Sequence, residues 1–134
     1  MADVTTCRRI LVADDDPGIL DLLAMNLTAE GFEVLVATNG EEAWSLARNA
    51  VPDLIVLDVM MPERDGLDVL ASLKAHPRTK HIPVVLLTAK ATDAELWEGW
   101  RSGADYYITK PFNLDELLHF VEYLLAPAAP VAAR

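Results

Sequence analysis

The sequence predicts a three-layer α/β/α sandwich around a five-stranded parallel sheet. Five short apolar or β-branched runs alternate along the chain with longer segments of helical period, which is how strands joined by crossover helices read. Residues 10 to 12, 54 to 57 and 84 to 87 are apolar on both alternating faces, as central strands require when helices cover both sides of a sheet. With 134 residues, 52% of them hydrophobic, one domain can close a core without disulfides or metal staples.

The strand candidates, in order, are RILVA at 9 to 13, FEVLVA at 32 to 37, DLIVLD at 53 to 58, IPVVLLT at 82 to 88 and ADYYIT at 104 to 109. Asp16 before Pro17 reads as an N-cap and first helical position, since Pro has no N–H to leave unpaired. Ile19, Leu22, Leu23 and Leu27 then recur at helical spacing up to Gly31, where that helix should stop. Asn39-Gly40 marks a turn before the stripe Ala43, Leu46, Ala47 and Ala50. Asp65 before Gly66 reads as a turn or cap residue ahead of a weaker stripe of Leu67, Leu70, Ala71 and Lys74. A short helix with Trp97 and Trp100 follows Thr88, and Asn113 is placed to cap a last helix with Leu114, Leu117, Leu118, Val121 and Leu125. Asp53 and Asp105 read as structural, and His76, His81 and His119 as scattered surface residues without ligand spacing.

The net charge of −10 argues against nucleic acid as the partner of this chain, because duplex binding draws on clustered Lys and Arg. Cys7 is the only cysteine, so no internal disulfide forms. Neither a signal-peptide pattern nor an apolar run long enough for a membrane span is present, and a cytoplasmic address is expected.

Ligands of open parallel sheets bind beyond the carboxyl ends of the strands. Leaving those ends here are Asp14 and Asp15, then Asp58, Thr88 and Thr109-Lys110-Pro111. Two like charges about 4 Å apart at an effective dielectric near 20 repel by roughly 4 kcal/mol, so three clustered carboxylates call for a cation. A hard divalent ion with oxygen ligands, Mg²⁺ or Mn²⁺, meets that need. Lys110 could hold a phosphoryl oxygen, Thr88 adds a donor, and a carboxylate could attack phosphorus to give an acyl phosphate.

The stretches ILVADDD, LIVLDVMMPERDG, PVVLLTA and GADYYITKPF resemble the receiver domain of two-component response regulators, with its CheY-like, flavodoxin-like sheet of order 2-1-3-4-5. The resemblance spans about residues 9 to 125, leaving 1 to 8 as an N-terminal extension and 126 to 134 as an Ala/Pro-rich tail or linker stub. It implies that Asp58 is the phosphoacceptor, and that Asp14 and Asp15 organise Mg²⁺ together with Asp58 and the backbone carbonyl of Met60. Thr88 and Tyr107 match the switch hydroxyl and the aromatic switch, Lys110 the lysine that neutralises the phosphoryl group, and Lys110-Pro111 a bond typically cis in the family.

Such a receiver would be phosphorylated by a sensor histidine kinase or a phosphotransfer protein. It would catalyse its own phosphorylation and slow dephosphorylation, but turn over no independent substrate. Its readout face would be the fourth helix, fifth strand and fifth helix, here carrying Trp97, Trp100, Tyr107 and Phe120 in place of the charged pairs of dimerising relatives. That favours an apolar contact with a downstream protein or with itself. An aspartyl-phosphate phosphatase of the haloacid dehalogenase type expects a second Asp where Met60 stands. A flavodoxin needs a phosphate loop where Asp14, Asp15 and Asp16 would repel phosphate. A degenerate receiver acting as a constitutive adaptor is the remaining alternative, against which the complete acidic set argues.

Overall fold

The computed structural model describes residues 8–88 and 103–125. In order they form β1 (Arg9–Ala13), α1 (Pro17–Ala29), β2 (Glu33–Ala37), α2 (Gly40–Ala50), β3 (Leu54–Asp58), α3 (Gly66–Ala75), β4 (Val84–Thr88), β5 (Tyr106–Thr109) and α4 (Leu114–Leu125). The helix expected at Trp97 and Trp100 lies outside the described residues, so α4 is the last helix of the sequence reading. The five strands make one sheet ordered β2-β1-β3-β4-β5, with every neighbouring pair parallel. Strand order reverses between β1 and β3, which places a cleft beyond their carboxyl ends.

Alternation along the central strands builds two cores. Leu11, Ala13, Ile55, Leu57, Val84 and Leu86 pack with Ala43 and Ala47 of α2 and Val69, Leu70 and Leu73 of α3. On the other face Ile10, Val12, Leu54, Val56, Val85 and Leu87 pack with Leu20, Leu23 and Leu27 of α1 and Leu117 and Val121 of α4. Strands buried on both faces have no polar side to offer water, which is why they read as unbroken apolar runs.

Helix starts follow side-chain chemistry. Asp16 accepts the Gly18 N–H at 2.8 Å with Pro17 in the first helical position, and Gly31 takes φ of 101° just beyond the end of α1. Asn39 and Gly40 are not a free turn: Asn39 caps α2 by accepting the Glu42 N–H at 2.8 Å, and Gly40 is its first residue. Glu42 reaches back to the Thr38 N–H at 2.7 Å, so both exposed donors are satisfied reciprocally. Asp65 caps α3 through the Asp68 N–H, and Asn113 accepts the Glu116 N–H at the start of α4.

Three stripe assignments change. Leu22 is 42% exposed, and the buried face of α1 runs instead through Leu20, Leu23 and Leu27, at intervals of three and four. Ala71 is exposed while Val69 and Leu73 are buried, and Lys74 turns its ammonium to the carbonyls of Lys80 and Ile82. His76 is half-buried, its ring edge-on to Trp44 at 5.8 Å, whereas His81 and His119 are exposed.

Candidate metal and phosphoryl site

Four of the five strand ends carry the predicted site residues, Asp14 and Asp15 after β1, Asp58 on β3, Thr88 on β4 and Lys110 after β5, because the parallel register stacks those ends side by side. Asp58 pairs with Leu87 across β3 and β4, and Thr88 with Thr109 across β4 and β5. The ladders continue one step further, with the Asp14 N–H on the Ala37 carbonyl and the Lys110 N–H on the Thr88 carbonyl. These bonds fix the backbone of the residues whose side chains meet. Asp14, Asp58 and Thr88 are buried, while Asp15 is exposed at the rim.

One carboxylate oxygen from each of Asp14, Asp15 and Asp58 lies within 4.8 Å of the others. The Lys110 ammonium stands 2.9 Å from Asp14 Oδ2 and 3.3 Å from Asp58 Oδ2. Asp14 Oδ1 accepts the Asp16 N–H at 2.9 Å, and Asp58 Oδ1 the Met60 N–H at 3.3 Å. Asp16 is thus drawn to the edge of the site by its backbone, while its side chain serves α1. The Lys110–Pro111 peptide bond is cis.

One ammonium does not balance three carboxylates. Burial and the nearby Asp14 charge push the Asp58 carboxyl up to about 6, against the opposing pull of Lys110 and the Met60 N–H. Burial alone would lower the Lys110 ammonium, but its short contact with Asp14 and the charges of Asp58 and Asp14 outweigh this and raise it. Asp14 Oδ2 is buried, and its neighbour is the Lys110 ammonium at 2.9 Å. An all-oxygen cluster of three carboxylates facing one ammonium carries surplus negative charge, which fits a hard divalent cation such as Mg²⁺.

The aromatic residues divide between the two sheet faces. Tyr107 packs against the core shared with α2 and α3. Phe120 stacks instead on Tyr106, with ring centroids 3.8 Å apart, on the α1 and α4 side. Trp97 and Trp100 lie outside the described residues. Three further residues, Gly40, Gly66 and Arg64, are given no part in the site by the sequence motifs. The Gly66 N–H donates to the Val59 carbonyl at 2.7 Å, and a Cβ there would collide with the Asp58 carbonyl oxygen. Arg64 bonds Asp68 and Ser72, at 3.0 and 2.6 Å.

A parallel sheet of this order, with an acidic cluster and a lysine at its carboxyl edge, defines the CheY-like class of signalling domains. The family model of the response regulator receiver domain matches residues 10–122, and the chain belongs to that family. It is 45% identical over 117 residues to the DNA-binding dual master transcriptional regulator RpaA of Synechocystis, covering 87% of this chain and 48% of that protein. It is 38% identical to the phosphate regulon transcriptional regulatory protein PhoB of Rhizobium meliloti, over 91% of this chain and 54% of PhoB. The chain therefore spans about half the length of these curated relatives. Among solved structures, the receiver domain of Francisella response regulator 1452 matches with a TM-score of 0.81 at 38% identity, over 87% of this chain and 95% of that one. Chemotaxis response regulator CheY4 of Vibrio cholerae matches with 0.84 at 31%, over 90% and 100%.

Proposed function

We propose that this chain is a phosphorylation-dependent switch in which Asp58 accepts a phosphoryl group from a sensor histidine kinase or a phosphotransfer protein. The observation that carries this reading is the buried Asp58 carboxylate, 3.3 Å from the Lys110 ammonium and clustered with Asp14 and Asp15. An Asp58 oxygen attacks phosphorus, the P–N bond of the donor phosphohistidine breaks, and the imidazole nitrogen keeps the electron pair. Lys110 neutralises a phosphoryl oxygen as charge develops. Asp14, Asp15, Asp58 and the Met60 carbonyl would hold Mg²⁺ or Mn²⁺, which supplies charge neutralisation and orientation for the incoming group.

The acyl phosphate adds nearly two negative charges at the strand ends. Thr88, at the end of β4, would answer them as a hydroxyl donor, and Tyr107 would follow on the neighbouring strand. The response biases a pre-existing equilibrium that a downstream protein, or a second copy, reads on the face of the fifth strand and last helix. The receiver itself occupies about residues 9 to 125, works in the cytoplasm, and at net charge −10 leaves nucleic acid to other parts of its pathway.

Intact-mass measurement after incubation with phosphoramidate and Mg²⁺ tests the reading. One phosphoryl group should add to the wild type, and none with EDTA or in Asp58→Asn. No gain in the wild type, or an equal gain in Asp58→Asn, overturns it.

A further inference from the structure

The segment between Asp58 and α3 carries Met60 past the cleft, and it is gripped from a helix far away in sequence. Gly40, the buried first residue of α2, donates its N–H to the Pro62 carbonyl at 3.3 Å. A Cβ on Gly40 would lie 2.6 Å from Arg64 Cβ and still closer to the Arg64 carbonyl oxygen, inside any real contact distance. Ordinary φ is available to Gly40, so glycine is needed there for space and not for backbone freedom.

We propose that Gly40 is a positioning residue of the phosphoacceptor site, holding the 59–65 loop, and with it Met60 and Asp58, by letting α2 press on the Arg64 backbone. The proposal rests on the phosphoacceptor reading of Asp58. Alanine at position 40 forces either α2 or the loop to yield. The helix is the stiffer partner: Ala43 and Ala47 are buried in the core, and its first turn is closed by Asn39 and Glu42. The loop has no repeating hydrogen bonds, and Glu63 already holds φ of 74°, which a side-chain-bearing residue rarely adopts. The loop therefore moves, and it begins at Val59, the residue after Asp58. Displacing a reacting group by about 1 Å can cost about 100-fold in rate.

Gly40→Ala in the full chain separates this from a plain helix effect, because alanine is the better helix former and would otherwise stabilise α2. Expected are a cooperative thermal melt, amide NMR shifts at Asp58, Val59, Met60 and Met61 in EDTA, Mg²⁺ binding weakened about 5- to 10-fold by calorimetry, and phosphoramidate phosphorylation slowed about 10- to 100-fold. Arg64→Lys is the second variant; it keeps the charge but cannot bond Asp68 and Ser72 together, and should shift the same amides and weaken Mg²⁺ at least about 3-fold. Wild-type Mg²⁺ affinity and phosphorylation in a folded Gly40→Ala overturn the proposal. So does wild-type behaviour of Arg64→Lys if Gly40→Ala does not fold. A wild type that neither binds Mg²⁺ nor gains a phosphoryl group refutes the phosphoacceptor reading instead.

Discussion

The Lys110 ammonium lies 2.9 and 3.3 Å from two buried carboxylates, Asp14 and Asp58, so its removal is felt most where Asp58 is charged. Lys110→Met without divalent cations should lose about 3 kcal/mol at pH 7 by denaturant titration, because a buried pair broken on one side leaves an uncompensated charge. The loss should shrink toward pH 5 as Asp58 takes up a proton. A loss equal at both pH values would show that packing, not charge, dominates.

Asp58 itself has the opposite sign. Its carboxyl is raised from 3.8 to about 6 on folding, first by burial and then by Asp14, so the folded state holds the proton more tightly than the unfolded chain. Its contribution to stability is fully present below about pH 4 and is lost as pH rises through 6. Asp58→Asn should therefore melt higher than wild type in EDTA at pH 7, by up to about 2 to 3 kcal/mol, with the advantage gone near pH 4. A wild-type advantage at pH 7 without metal would contradict the charge accounting.

At the scale of elements, the acidic run Asp14-Asp15-Asp16 divides by the bonds each makes. Asp16 caps α1, so Asp16→Ala should cost about 1 kcal/mol while Asp16→Asn, still a cap former, costs little. Asp16→Asn should also keep phosphoryl uptake in the mass assay, whereas Asp15→Asn, which removes an oxygen of the cluster, should slow it at least about 10-fold at limiting Mg²⁺. Equal rates in the two variants would remove Asp15 from the site.

Element ends were only partly legible. Phe32 and Ile82 look like strand residues by composition, yet the Phe32 N–H closes the end of α1 on the Leu27 carbonyl, and the Ile82 N–H a turn on Thr79. Local hydrogen bonds decide such positions, and apolar pattern does not record them. Asp14, Asp58, Thr88 and Lys110 were legible because each stands at a strand end, and parallel pairing gathers strand ends. Gly40, Gly66 and Arg64 were not, since a close backbone approach between distant elements has no periodicity. The pairing of Phe120 with Tyr106 was within reach: alternation puts Tyr106 and Ile108 on one face and Tyr107 on the other.

At the scale of the molecule, two apolar cores clamp a sheet whose one charged edge is under repulsion, so the stability of the whole should be linked to cation at that edge. A ligand bound only by the folded state adds RT ln(1 + [L]/Kd), about 2.7 kcal/mol at 100 times Kd. For a domain of this size that corresponds to a rise of roughly 10 °C in melting temperature. Mg²⁺ at that excess should raise the wild-type midpoint by about this much, and that of Asp58→Asn far less, since the variant has lost both the repulsion to relieve and an anionic ligand. Without Mg²⁺ the variant melts higher; with it the wild type should close most of the gap. NaCl at equal ionic strength controls for screening of the chain's net negative charge, which acts on exposed charges and not on a buried cluster. If NaCl reproduces the Mg²⁺ effect, or if wild type and Asp58→Asn rise together, the cation is acting on the surface and not between Asp14, Asp15 and Asp58.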